Sequence, residues 1–77
     1  MGFIVHDKTL DNNNEELKVG CLIKDDYIEN YSGKLVSLHK EVDKDNYKAI
    51  VVDAGGNILT FYRVGSSSWY PNLEVIK

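Results

Sequence analysis

The segment Ala54-Gly55-Gly56-Asn57 stands between two runs, residues 47–53 and 58–64, that are rich in β-branched and aromatic side chains. No other feature narrows the fold as much. Glycine readily takes the positive φ that a tight strand reversal demands, and Asn57 tolerates it. The expectation is a β-hairpin. Ile50 and Val52 alternate with Val51 and Asp53, and Leu59 and Phe61 alternate with Thr60 and Tyr62. Read at the two-residue period of a strand, this turns Ile50, Val52, Leu59 and Phe61 inward.

The same alternation of β-rich runs with turn formers extends from Leu17 to the C-terminus. Further strands are expected over 19–24, 34–42 and 73–76, which makes five in all. They are separated by residues 25–33, by Asp43-Lys44-Asp45-Asn46 and by 65–72, each containing the Gly, Asn, Asp or Ser that turns require. Val36 and Leu38, with Val19 or Ile23 and Val75, complete the expected core. Pro71 falls just before the last strand, where a missing amide hydrogen harms no ladder. The chain ahead of Leu17 reads differently. Phe3-Ile4-Val5 is a short apolar run, and Asp11-Asn12-Asn13-Asn14-Glu15-Glu16 is a polar stretch without hydrophobic period. Residues 1–16 are therefore an N-terminal arm and linker, and 17–77 the folded unit; the apolar triplet is either a first strand laid on that unit or a docking arm.

Length and charge limit what such a chain does. At 77 residues it forms one domain, since a fold this small buries only about 60% of its unfolded surface and has no core to divide. Cys21 is the only cysteine, which removes a disulfide framework and a thiolate zinc site and favours a reducing, cytoplasmic setting. No segment approaches the ~20 apolar residues needed to cross a bilayer, so no membrane partner is expected. The net charge is −3, and all of it lies in residues 1–16. Residues 17–77 balance, and the basic footprint usual for duplex binding is missing from the sum.

Val19-Gly20-Cys21-Leu22-Ile23-Lys24, followed by Ile28 to Val36 with Gly33-Lys34-Leu35-Val36 at its end, resembles the KOW and Tudor-like branch of SH3-like barrels. In that pattern a Gly opens the first strand, a loop follows, and a Gly-x-x-Val step enters the second. Read so, Gly33 reverses the chain and Val36 points into the barrel. The later order of hairpin, Gly-Ser loop, Trp69-Tyr70-Pro71-Asn72 turn and closing Leu-Glu-Val-Ile strand is similar to barrels of this group, so the resemblance covers 17–77. It implies a small, all-β, five-stranded SH3-like barrel with an N-terminal arm, and for many KOW domains RNA binding. The further loop Gly of the KOW pattern is replaced here by Glu29-Asn30-Tyr31. Fold alone does not assign a function.

Few residues suggest chemistry. Asp53-Ala54-Gly55 resembles the Asp-Thr-Gly turn of aspartic proteases, but one copy supplies one carboxylate where that chemistry needs two; a plain hairpin turn accounts for it. His6, Cys21 and His39 lack the close spacing of metal ligands and of a nucleophile–base pair, so no catalytic residue, metal or cofactor is expected. The aromatic residues say more. Tyr27, Tyr31, Tyr47, Phe61, Tyr62, Trp69 and Tyr70 exceed what one small core uses, because a buried Tyr or Trp needs a partner for its polar atom. Tyr27, Tyr31, Tyr62, Trp69 and Tyr70 are the candidate partner-binding residues, of the types that dominate protein interfaces; Trp69 reads equally well as a cap on the open barrel end. Lys34, Lys40, Lys48 and Arg63 form a possible basic strip, diluted by Glu41, Asp43, Asp45 and Asp53. The expectation is a non-enzymatic binding module for a protein partner, itself included, of the kind found as accessory proteins in bacteria or phages. The alternative is a KOW/Tudor-like nucleic-acid-binding module.

Overall fold

The computed structural model describes residues 2–25, 31–65, 69 and 72–76. The five β-rich runs all become strands, and three shorter strands precede them. In chain order these are β1 (Phe3–Val5), β2 (Lys8–Leu10), β3 (Glu16–Lys18), β4 (Leu22–Asp25), β5 (Tyr31–Glu41), β6 (Tyr47–Asp53), β7 (Ile58–Arg63) and β8 (Glu74–Val75). The protein is all-β, with eight strands rather than five among the described residues, and every pairing among them is antiparallel. Six strands form one sheet in the order β7-β6-β5-β4-β8 with β1 also on β5, while β2 and β3 form a separate hairpin.

β5 organises the sheet. One edge pairs with β6 over most of its length, and the other is shared in tandem by β4 and β1. The Phe3-Ile4-Val5 triplet is thus a strand, paired with Glu41, Lys40 and His39. The chain leaves that edge where the His6 amide donates to the Leu38 carbonyl (2.9 Å) and returns where the Gly20 amide donates to Leu35 (2.8 Å). The β2–β3 hairpin is the excursion between the two.

The core contains Leu17, Ile23, Leu35, Leu38, Ala49, Val51, Phe61, Trp69 and Leu73. Two expectations about strand phase are corrected here. Ala49 and Val51 are buried, whereas Ile50 and Val52 are only partly covered. Val51 pairs with Leu59 and Ala49 with Phe61, and directly opposed residues share a face, so inward Phe61 and Leu59 require inward odd-numbered partners. In β5 the buried residues are Leu35 and Leu38, three apart, and Val36 is 43% exposed. A bulge between Leu35 and Ser37 adds one residue against Val51 and Ile50 of β6, which breaks the two-residue period and turns Val36 out.

Gly33 is not at a reversal. It lies inside β5 between Ile23 and Asp53, and a Cβ there would stand 2.7 Å from both the Val52 carbonyl oxygen and Val51 Cγ1. Its bareness lets the backbones approach. At the β6–β7 turn the positive φ belongs to Gly56, while Asn57 instead donates to the Asp53 carboxylate from its backbone (2.8 Å) and side chain (3.2 Å).

A buried carboxylate fastens the polar stretch of the arm to the C-terminal strand. Asp11 is nearly fully buried; one oxygen accepts from the Asn13 and Glu15 amides (2.7 and 2.8 Å), the other from the Val75 amide (2.8 Å). Beside it Asn12 bonds the Asn72 side chain, the Leu73 carbonyl and the Trp69 amide. Buried polar groups are tolerated when satisfied in this way. Residues 1–16 are laced into the domain.

Candidate functional site

Of the five aromatic residues expected to gather at a surface, Tyr31, Tyr62 and Trp69 lie among the described residues, and they differ in exposure. Trp69 is 2% exposed; its indole N–H donates to the Leu10 carbonyl (3.0 Å) and its ring packs 6.3 Å from Tyr47. It is core, and its partner is supplied by β2. Tyr31 is half-buried with its ring 6.2 Å from Phe61, and its hydroxyl is buried with no hydrogen-bond partner among the described residues. Burial, and then the charge of Asp53, hold that phenol above its ordinary pKa of 10.0. Tyr62 is the one found open to solvent, 49% exposed on β7. Tyr27 and Tyr70 lie outside the described residues.

The sheet presents to solvent a face of mixed character with one mainly aliphatic row. The side chains that alternate with the core residues align across it in rows fixed by the register. Ile58 pairs with Val52, Val52 with Lys34 and Lys34 with Leu22, and the Ile76 amide donates to the Leu22 carbonyl at 2.9 Å. Ile58, Leu22 and Ile76 are 67%, 57% and 41% exposed. Val52, Lys34, Leu22 and Ile76 wall a shallow cavity of about 300 Å³ floored near Gly33. A next row carries Thr60, Ile50 and Ser37, with extruded Val36 beside it. A third carries Tyr62, Lys48, His39 and Val5. Lys48 also reaches over the Phe3 ring, 5.0 Å from its centre.

The basic strip divides between two faces. Lys34 and Lys48 lie on this outer face, whereas Lys40 pairs with Tyr47, which packs against the core. The Arg63 guanidinium stacks 5.9 Å from the same Tyr47 ring and reaches Thr9 at 3.5 Å. A larger cavity of about 410 Å³ is lined by Asn13, Glu15, Lys24, Glu74, Val75 and Ile76. Lys24 and Glu74 approach to 3.9 Å there.

Asp53, His39 and His6 are held in local contacts. Asp53 accepts from the Gly55 amide (2.9 Å) as well as from Asn57, and the Asn57 bonds are the main cause of its pKa falling below the ordinary carboxylate value. His39 Nε2 lies 2.5 Å from Ser37 Oγ, and His6 meets Tyr47 edge to face at 5.7 Å. Among the described residues no three His, Cys, Asp or Glu side chains are grouped to hold a metal ion. Among them, too, no helix is long and apolar enough to cross a membrane.

The outer face was missed in the sequence, though a signal exists. Leu22-Ile23 and Ile50-Val51-Val52 are continuous apolar runs, and a strand covered on one side only alternates. No family model, curated protein or solved structure matches the chain.

Proposed function

We propose that this chain is a non-enzymatic binding module that recognises a protein partner through the outer face of its sheet. The observation that carries the reading is the row Ile58–Val52–Lys34–Leu22–Ile76. Leu22, Ile58 and Ile76 stand open to water, although a one-sided antiparallel sheet ordinarily turns polar residues outward. Exposed apolar surface rimmed by polar groups, here Ser32 and Asp53, is what interaction sites offer, and Lys34 sets one charge within it. The strand order β7-β6-β5-β4-β8, with the last strand beside the first of the five long runs, supports reading the fold as an SH3-like barrel of the KOW/Tudor-like branch carrying an N-terminal extension.

The test compares the parent chain with Leu22→Glu, a change at a side chain 57% exposed and away from the core. The parent is expected to retain a defined protein partner in pull-downs, and the variant to lose it with an unchanged melting temperature. Equal retention by both overturns the proposed face. Titration with single-stranded RNA over a salt series is the second arm. Affinity that falls steeply with salt would instead assign the surface to nucleic acid.

A further inference from the structure

Among the described residues β7 pairs with β6 alone, and its outer edge has the chemistry to pair with itself. Along β6, the Glu41 amide donates to the Asn46 carbonyl (2.8 Å) and the Asp53 amide to the Asn57 carbonyl (3.0 Å). These bonds set the alternation of hydrogen-bonded and non-bonded pairs in both ladders. Lys48 spends its backbone groups on β5, Ala49 and Val51 spend theirs on β7, and Val52–Ile58, Ile50–Thr60 and Lys48–Tyr62 are non-bonded pairs. Ile58, Thr60 and Tyr62 therefore point N–H and C=O away from the sheet. Among the described residues none of those groups takes part in a further backbone bond.

Edge strands are normally blunted by charge, proline, a bulge or brevity. β8 has two residues, one of them Glu74, and β2 and β3 carry Lys8, Glu16 and Lys18. β1 is uncharged but has only three residues. β7 has six residues, no proline, no bulge against β6 and no charge from Ile58 to Tyr62. In a chain of net charge −3, an uncharged edge is where two copies meet with least repulsion, since a two-fold axis sets each charge near its own image.

We propose that the protein dimerises by antiparallel pairing of β7 with β7 of a second copy, about a two-fold axis at Thr60. This inference goes beyond the outer-face reading: it joins two copies at the sheet edge and leaves Leu22, separated from β7 by β6 and β5, outside the pairing. Only even-numbered residues offer free backbone groups, and a register centred on Thr60 uses all three. Thr60 exchanges both bonds with Thr60 of the second copy, and Ile58 does so with Tyr62 in each direction. The same register sets exposed Ile58 beside exposed Tyr62 and threonine against threonine, both favourable cross-strand pairs. The two outer faces become one continuous surface.

Sedimentation from micromolar to millimolar concentration is expected to give twice the mass of one chain at the upper end. Thr60→Pro removes an amide hydrogen that β6 does not use, and Thr60→Lys adds an edge charge in case the proline impairs folding. Each shifts the dimerisation midpoint upward by about tenfold or more. Amide exchange at Ile58, Thr60 and Tyr62 slows with concentration in the parent and stays fast in Thr60→Lys. A single-chain mass throughout, or a dimer indifferent to Thr60→Lys with those three amides fast, overturns the inference. A monomer whose partner is lost on Leu22→Glu overturns self-pairing alone and leaves the binding reading standing.

Discussion

Gly33 and Tyr31 are close in sequence and opposite in consequence. A methyl group at Gly33 meets the Val52 carbonyl oxygen at 2.7 Å, and backbone has little room to give. Gly33→Ala is expected to destabilise the fold by about 1–3 kcal/mol, the usual cost of overpacking, measurable by urea denaturation. At Tyr31 the hydroxyl is buried without a described partner, so removing it strands nothing. Tyr31→Phe should be neutral or stabilising at pH 7. The sign of the pH effect follows from the raised phenol pKa. Stability is complete below 10.0, the ordinary value, and declines as pH rises from there through the folded value, because the fold disfavours the phenolate. Tyr31→Phe should blunt that alkaline decline in thermal melts. Gly33 is visible in the sequence as a special position, but local spacing suggests a turn there, and only the neighbouring strand shows the need for close approach.

Among the elements, β1 and β5 depend on each other. The bonds from the His6 amide to Leu38 and from the Val42 amide to Gly2 fix Ile4–Lys40 as the bonded pair between them. Ile4→Pro removes that donor from a ladder that uses it. A loss of about 1 kcal/mol lowers the melting temperature of a domain this size by roughly 4–8 °C, and the Lys40 and Val42 amides should exchange faster. The existence of β4 to β8 was legible because β-rich runs and turn formers alternate there. Their phase was not. Ile50-Val51-Val52 is apolar at every position, so either alternation satisfies the pattern; the register with Leu59 and Phe61 chooses Ala49 and Val51. The bulge at Val36 left no mark that spacing would reveal.

For the whole molecule, the arm matters most. Asp11 and Asn12 bind backbone at Trp69, Leu73 and Val75, and Leu10 takes the Trp69 indole N–H. Residues 1–16 and the C-terminal segment are expected to unfold together. Trp69 fluorescence and far-UV circular dichroism should give coincident urea transitions, with β1 amides exchanging only in the same event. Earlier loss of β1 protection would mark the arm as separable. By itself, the sequence determined the all-β character, five of the strand positions and the hairpin at Gly55-Gly56, because propensity and turn chemistry act over neighbouring residues. The tertiary structure decided which side of each strand is buried, made the arm part of the sheet, sent Trp69 to the core and left Leu22, Ile58 and Ile76 on an open face. Those outcomes depend on register and on contacts between residues as far apart as Asp11 and Val75, and no local pattern encodes them.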